Sequence, residues 1–422
     1  MGIYEGFSRE QLILRKKEIE QRFSDYKKQN LKLDMSRGKP SSEQLDLSNA
    51  MFEYCGSFIS EEGFDCRNYG LPDGILEMKK IFAEILGVCP ENVIVGNSSS
   101  LNMMYDAFSR AYLFGINGCE PWSRLEKVRF LCPVPGYDRH FAICEQFNMD
   151  MISIPMDENG PDMDMVEELV SKDELIKGIW CVPMYSNPTG AIYSGDVVKR
   201  LAGMKTKAPD FRIFWDNAYA VHHLYEENSI LNILDECKKA GNPDRVYMFT
   251  STAKISFAGS GVAAMASSVE NIRQIKEKIA IQTIGPNKIN QLLHARFFIN
   301  YEGIKAHMKK HAELLRPKFE AVSDILSKNL SGLDIASWTT PRGGYFISLD
   351  VHDGCAKNVV SKAKEAGVTL TPAGATYPYG YDPNDRNIRI APTYPPLDEL
   401  KKAVEILCLC VELAVLEKIL QF

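Results

Sequence analysis

The chain has no Cys-x-x-Cys pair, although it carries 11 cysteines among its 422 residues. Their odd number and irregular spacing exclude a disulfide framework or a zinc ribbon. They point to free, core-filling thiols in a reducing, cytoplasmic compartment. The 7 histidines form no metal-binding pattern. His222-His223 is their one adjacent pair, and sequence neighbours point in different directions, so no metal site is expected. No apolar run is long enough to cross a bilayer: Ile406 to Leu416 is interrupted by Glu412. The start, Met1-Gly-Ile-Tyr-Glu-Gly-Phe-Ser-Arg-Glu10, has no apolar h-region, which excludes a secretory signal. Gly6 stands where a myristoylation motif needs Ser or Thr. The net charge is -6 and no basic stripe with interleaved aromatics offsets it, which argues against nucleic acid as a partner. There is no internal repeat and no low-complexity linker. Gly259-Ser-Gly261 lacks the Gly-x-Gly-x-x-Gly spacing of a dinucleotide loop.

What is present reads as a large enzyme. Apolar residues make up 45% and charged residues 25%, and the length allows two domains. Ser8 with Gln11 forms a capping box that opens a polar helix to about Lys28. An irregular stretch follows, Leu33-Asp-Met-Ser-Arg-Gly-Lys-Pro-Ser-Ser42. From about residue 90, short runs rich in Val, Ile, Phe and Trp alternate with helical patterns. The runs are Asn92–Val95, Val128–Leu131, Met151–Ile154, Ile179–Val182, Phe211–Trp215 and Val246–Phe249. This pattern predicts an α/β fold with a mostly parallel sheet covered by helices. Beyond about residue 290 the character changes. A long helical stretch (Gln291 to Asn329) precedes a hairpin-like segment around Pro341–Leu349, a short strand Asn387–Ile390 and a final helix from about Leu397. These predict a second, α+β unit.

In open parallel sheets, ligands bind beyond the carboxyl ends of the strands. After Val95 comes Gly96-Asn-Ser-Ser-Ser100 entering a helix. Such an N-terminus suits a phosphate, although Ser98 or Ser99 could simply cap it. After Leu131 comes Cys132-Pro-Val-Pro-Gly-Tyr137, a rigid loop delivering an aromatic ring. After Val182 comes Pro183-Met-Tyr-Ser-Asn-Pro-Thr-Gly190. After Trp215 comes Asp216-Asn-Ala-Tyr219, whose buried carboxylate needs a cationic partner or several donors. After Phe249 come Ser251 and Lys254. A poorly solvated lysine there favours its neutral, nucleophilic amine.

The motifs Tyr69-Gly-Leu-Pro-Asp-Gly74, Pro133-Val-Pro-Gly-Tyr137, Asn187-Pro-Thr-Gly190, Asp216-Asn-Ala-Tyr219, Ser251-Thr-Ala-Lys254 and Asn387-Ile-Arg389 are each modest alone. In this order and at these separations they are specific. Over essentially its whole length the chain resembles the fold type I pyridoxal-phosphate aminotransferases of class I/II. Ser36-Arg-Gly-Lys-Pro-Ser41 and Gly96-Asn-Ser-Ser-Ser100 are most similar to a divergent aspartate aminotransferase subgroup. The resemblance implies a mostly parallel seven-stranded-type sheet sandwiched by helices in a large cofactor domain, residues 46–295. A smaller α+β domain would combine residues 1–45 and 296–422 and close over the substrate.

It also implies roles. Lys254 would tether pyridoxal 5'-phosphate and shuttle the substrate proton. Asp216 would pair with the pyridine nitrogen, Tyr219 and Asn187 would bond its phenolic oxygen, and Tyr137 would stack on the ring. Ser98, Ser99 and Ser251, with Ser100 as a further candidate, would hold the phosphate. Tyr69 would reach the phosphate of a neighbouring subunit, making a homodimer. Arg389 would grip the substrate α-carboxylate, with Asn187 beside it and Gly38 in the N-terminal loop lining the same pocket. For a side-chain carboxylate, Arg139 is the first candidate cation, with Arg37, Lys39 and Lys288 behind it. Cis peptide bonds are implied at Asn187–Pro188 and Cys132–Pro133.

The chain departs from the family in one place. An arginine usually follows the lysine by seven or eight residues as a phosphate partner, and here those positions are Gly261 and Val262. The expected reaction moves an amino group between aspartate or glutamate and a 2-oxo acid. A carbon–sulfur β-lyase would use the same electron sink. The resemblance extends to certain aminotransferase-like regulators, but a ligand sensor of that kind would need a DNA-binding domain. About 30 residues precede Leu33, too few for one.

Overall fold

The computed structural model describes residues 3–54 and 56–421. The proposed absence of myristoylation at Met1-Gly2 and the thiol at Cys55 lie outside the described residues. Seven strands build the main sheet: β1 (Val93–Gly96), β2 (Arg129–Val134), β3 (Asp150–Asp157), β4 (Ile176–Cys181), β5 (Arg212–Asp216), β6 (Val246–Ser251) and β7 (Ala263–Ala266). Their order is β1-β7-β6-β5-β4-β2-β3, and a two-residue strand, Gly160–Pro161, extends the β3 edge. The run β6-β5-β4-β2-β3 is parallel throughout. Every residue of β4, β5 and β6 is buried, which is why their centres read as short apolar runs (Ile179–Cys181, Ile213–Trp215, Val246–Phe249) rather than alternating ones, with charged Lys177, Arg212 and Asp216 nearer the ends.

All six predicted strands are present, shifted by a few residues at most. β7 was not foreseen. It is antiparallel to both of its neighbours and consists of Ala-Ala-Met-Ala, with no β-branched or aromatic residue to mark a strand. Its position explains the composition. Ala263 and Met265 pack into the cluster holding Met103 and Met104 of the helix Ser100–Phe114, while Ala264 and Ala266 pack into the cluster on the other face. A strand pressed from both sides favours small side chains.

A second sheet of three antiparallel strands, β8 (Ala336–Trp338), β9 (Ile347–Val351) and β10 (Asn387–Ile390), lies in the order β8-β9-β10. Ser348 of β9 is paired with Arg389 of β10. The N-terminal segment joins this half: Leu33–Asp34 pairs in parallel with Val368–Thr369. Leu12, Ile19 and Phe23 of the first helix share a core with Val404 and Leu407 of the last, Leu397–Leu420. That first helix spans Arg9–Lys27 and carries the expected capping box of Ser8 and Gln11. Glu412, which breaks the terminal apolar run, is buried against it and accepts from Arg15 Nε at 2.6 Å. Among the described residues, no helix is long and apolar enough to cross a membrane.

Two expectations need correction. The helical stretch from Gln291 is not continuous: Lys288–Phe298 and Tyr301–Leu330 are separate helices. Ile299 between them takes φ +68°, and the Asn300 side chain accepts from Gly303 N, starting a new helix by capping it. The cis bonds lie at Asn187–Pro188, as expected, and at Val134–Pro135 rather than Cys132–Pro133. Pro133 is still inside β2, paired with Ile154 of β3. The turn begins only after that strand ends.

Candidate active site

The carboxyl ends of β2, β4, β5 and β6 meet the β9–β10 sheet and the N-terminal loop. Lys254 follows β6 in a tight turn, with Ile255 N and Ser256 N both donating to Thr252 O at 2.8 Å. Its Nζ lies 4.8 Å from the Tyr219 ring centroid and 6.0 Å from that of Tyr345. Burial pushes the amine's pKa down, and the charge of Asp216 opposes that shift without cancelling it. The amine is thus more easily deprotonated than an exposed lysine. Tyr219 is buried, and its phenol is held well above its ordinary pKa, first by burial and then by the charges of Tyr137 and Asp216.

Asp216 ends β5 and is almost fully buried. Its Oδ2 lies 3.1 Å from His140 Nε2, while its Oδ1 is buried with no hydrogen-bond partner. His140 is itself clamped, stacked on Trp180 at 4.3 Å and 10° and met edge-on by Tyr137 at 4.9 Å. Sequence reading missed His140. It is a lone histidine three residues past Tyr137 in the first turn of the helix Asp138–Gln146, and only the fold brings it to the end of β5.

Arg389 of β10 is also buried. Its Nη1 donates to Asp138 Oδ1 at 2.8 Å and to Asn187 Oδ1 at 3.3 Å, and its Nη2 donates to Thr371 Oγ1 at 3.3 Å. The guanidinium lies over Phe346 at 4.9 Å, and its Nε is buried without a partner. On the other side of this region, Gly38 sits so close to Phe346 that an added Cβ would fall 2.3 Å from the ring's Cζ. Ser36 O accepts from Thr371 Oγ1 at 2.6 Å and Lys39 O from Thr393 Oγ1 at 3.0 Å, which ties down the N-terminal loop.

At the opposite end, Ser99 caps the helix Ser100–Phe114. Ser98 is exposed, Ser100 is buried at the first helical position, and Ser251 is buried at the end of β6. A Cβ on Gly261 would stand 2.6 Å from Ser98 O and 3.1 Å from the Ala253 backbone. The position where the family usually carries a cation is therefore packed against the serine loop.

Four of the first-choice residues, Lys254, Tyr219, Asp216 and Tyr137, thus form one contiguous group, and Asp138, next to Tyr137, extends it to Arg389 and Asn187. The structure does not bring Tyr69 or Arg139 into these contacts. The Tyr69 ring is 75% exposed, and Arg139 is exposed in the first turn of its helix. Among the other candidate cations, Lys288 is buried and donates to Gly70 O at 2.9 Å, Lys39 lies 3.7 Å over the Tyr394 ring, and Arg37 is exposed.

The residues behind the lysine turn carry no motif in the sequence. Buried histidines hold the underside of the lysine turn at each of three consecutive residues. His222 Nε2 lies 3.3 Å from Lys254 O, His307 Nε2 2.9 Å from Ile255 O, and His294 Nε2 2.8 Å from Ser256 Oγ. His311 backs His307 at 3.1 Å. Tyr345 OH donates to Lys254 O at 3.3 Å.

A half-buried lysine with a lowered pKa, a buried acid with one unpartnered oxygen and a buried arginine at the rim of a seven-stranded α/β sheet define an enzyme of the fold type I aminotransferase class. The comparisons with known proteins agree. The family model for aspartate amino-transferase matches residues 7–422, so the chain belongs to that family and is an aminotransferase. It is 50% identical over 417 residues to an aspartate aminotransferase of Corynebacterium glutamicum, covering 98% of this chain and 96% of the relative. A crystal structure of an aspartate transaminase from that organism superposes with a TM-score of 0.95, at 50% identity and covering 98% of each chain. The fold is shared with α-aminoadipate aminotransferase LysN of Thermus thermophilus, solved with N-(5'-phosphopyridoxyl)-L-leucine, at a TM-score of 0.73 and 20% identity over 92% of this chain and 93% of that one. These similarities favour amino transfer over β-elimination.

Proposed function

We infer that the crevice binds pyridoxal 5'-phosphate and that the enzyme moves an amino group between an acidic amino acid, aspartate first, and a 2-oxo acid. The observation that carries this is Asp216: one oxygen is held by His140 and the other is buried without a partner. Such an acceptor fits the ring nitrogen of that cofactor, since a buried carboxylate oxygen left unpaired is costly. When bound, the cofactor supplies an electron sink for the pair released at the substrate Cα.

The rest is the work of this chain's residues. Lys254, with its lowered pKa, would tether the cofactor and, once released by substrate, take and return the proton at the substrate Cα. Tyr219 and Asn187 donate to the phenolic oxygen, and Tyr137 packs on the ring. Ser99, Ser251 and the free N–H groups of the helix Ser100–Phe114 hold the phosphate, with Ser98 and Ser100 beside them. Arg389 binds the α-carboxylate, with Asn187 and the Gly38 loop closing that side and keeping water out. The cation for the side-chain carboxylate comes from among Arg139, Arg37 and Lys39; Lys288, already engaged with a backbone carbonyl, is the least suited.

The same reading divides the chain into a cofactor domain, residues 46–295, and a small domain, residues 1–45 with 296–422. It makes the enzyme a cytoplasmic homodimer in which Tyr69 reaches the partner's phosphate. The exposure of Tyr69, together with that of Phe52, Phe58, Ile281 and Ile284, supports such a buried contact. The test is a visible spectrum of protein loaded with pyridoxal phosphate. The band should fade on adding L-aspartate and return with 2-oxoglutarate. A spectrum that neither amino acid nor oxo acid alters, with cofactor bound, would overturn the reading.

A further inference from the structure

Arg389 is not waiting with an open fork. Its Nη1 already donates to a carboxylate, Asp138 Oδ1, at 2.8 Å. The two partners differ in freedom: the arginine side chain is 7% exposed and the aspartate 32%. A buried guanidinium needs a counter-charge whenever no substrate is present, and Asp138 is the carboxylate that supplies it. We propose that Asp138 is the resident counter-ion of Arg389, one with which an incoming α-carboxylate must compete, so that this residue sets substrate affinity from the unliganded side. The proposal rests on Arg389 being the α-carboxylate site.

Three observations support the exchange. First, Arg389 is the fixed member of the pair. Its guanidinium is seated over Phe346 and further bonded to Asn187 Oδ1 and Thr371 Oγ1, both at 3.3 Å. Second, Asp138 is the movable member and has another favourable berth. It is the first residue of the helix Asp138–Gln146, where free N–H groups and the positive end of the helix dipole stabilise a carboxylate without any arginine. Release from Arg389 therefore does not strand the charge. Third, Arg389 retains hydrogen-bonding capacity for a newcomer: its Nε is buried with no partner, and its Nη2 holds only the 3.3 Å contact to Thr371. An arriving carboxylate takes the donor that Asp138 gives up, and Asp138 retreats as the two negative charges repel. Asp138 directly follows Tyr137, so this exchange occurs beside the aromatic that packs on the cofactor.

A competitor present before substrate arrives weakens ground state and transition state alike, so its removal should show mainly in KM. Asp138→Asn keeps the shape and removes the charge. In the pyridoxal-phosphate-loaded enzyme, the KM for L-aspartate should fall several-fold, on the order of three to ten, with the larger part of the change in KM rather than kcat. The dissociation constant of maleate, a non-reacting dicarboxylate measured by calorimetry, should fall by a similar factor. Asp138→Glu, which keeps the charge, should stay near the parent enzyme. If Asp138 merely braced Arg389, Asp138→Asn would instead raise both constants; unchanged or raised constants overturn the proposal. Arg389→Lys is run in parallel. If it weakens maleate while Asp138→Asn does nothing, only the competition idea fails. If Arg389→Lys has no effect either, the assignment of Arg389 fails and takes this proposal with it.

Discussion

His294 offers a test of how the lysine turn is held. It is fully buried, its Nδ1 lies 2.8 Å from Asn290 O, and its Nε2 lies 2.8 Å from Ser256 Oγ. The carbonyl of Asn290 can only accept, so Nδ1 carries a proton; burial keeps the ring neutral near pH 7, which leaves Nε2 to accept from the serine. Burial lowers its pKa from the ordinary 6.5 to about 4. The unfolded chain therefore binds this proton more readily. The stabilising contribution is complete above pH 6.5 and drains away as the pH falls through the window down to about 4. At pH 5 the loss amounts to about 2 kcal/mol from this one group, an appreciable part of the stability of an ordinary protein. His307 and His311 behave alike, lowered to about 4 and about 3; the two touch, so their effects do not simply add. The perturbation is His294→Gln, which retains polar atoms but cannot take up a proton. Urea unfolding of parent and variant would be compared at pH 8 and pH 5. The variant should be weaker at pH 8, yet lose about 2 kcal/mol less between the two pH values. Parallel losses in the two proteins would refute the idea that neutral His294 supports the turn.

The remaining expectations concern the site itself. Arg389→Lys loses the planar fork and should weaken amino-acid binding by roughly 1.5–3 kcal/mol; parent-like saturation with aspartate would contradict this. Asp216→Asn removes the charge beside the cofactor and should lower kcat/KM by about 10²–10³-fold, with a measurable rise in cofactor dissociation; retention of parent activity would count against its role. Because Gly261 is packed on Ser98 O and supplies no cation, long dialysis against phosphate should strip the cofactor more readily than from an arginine-bearing relative. Full occupancy afterwards would show that another group does that work. Arg139→Ala should reduce turnover of aspartate and glutamate more than that of a neutral donor; equal effects on both would remove it as the side-chain cation.

The parts of this molecule that could be read from sequence are those where chemistry and local pattern coincide. Strands buried on both faces announce themselves by short apolar runs, such as Ile213–Trp215 and Val246–Phe249 inside Arg212–Asp216 and Val246–Ser251, and the residue at each carboxyl end follows from the topology rule. The strand Ala263–Ala266 did not announce itself, because the packing that makes it a strand also demands small side chains. The break at Ile299 was hidden because Asn300 competes locally with an otherwise helical pattern. Within the site, Lys254, Asp216 and Arg389 carried motifs. His140, Asp138 and the histidines under the lysine turn did not: Asp138, His140 and His222 lie one to three residues past motif residues and His294 and His307 on distant helices, and each acquires its role only through tertiary approach. The cis bond precedes Pro135 rather than Pro133, because strand Arg129–Val134 runs on past the apolar run that ends at Leu131.

The absence of a side chain at position 38 has a reach beyond its own loop. A methyl group there would overlap the Phe346 ring, and that ring is the floor on which the Arg389 guanidinium rests. Even a change as small as Gly38→Ala would be transmitted through the aromatic like a shim under a lever, tilting the arginine's donors although the new group touches neither substrate nor cofactor. The aim of the carboxylate clamp is thus set partly from the far end of the chain, by the one residue that contributes nothing but room.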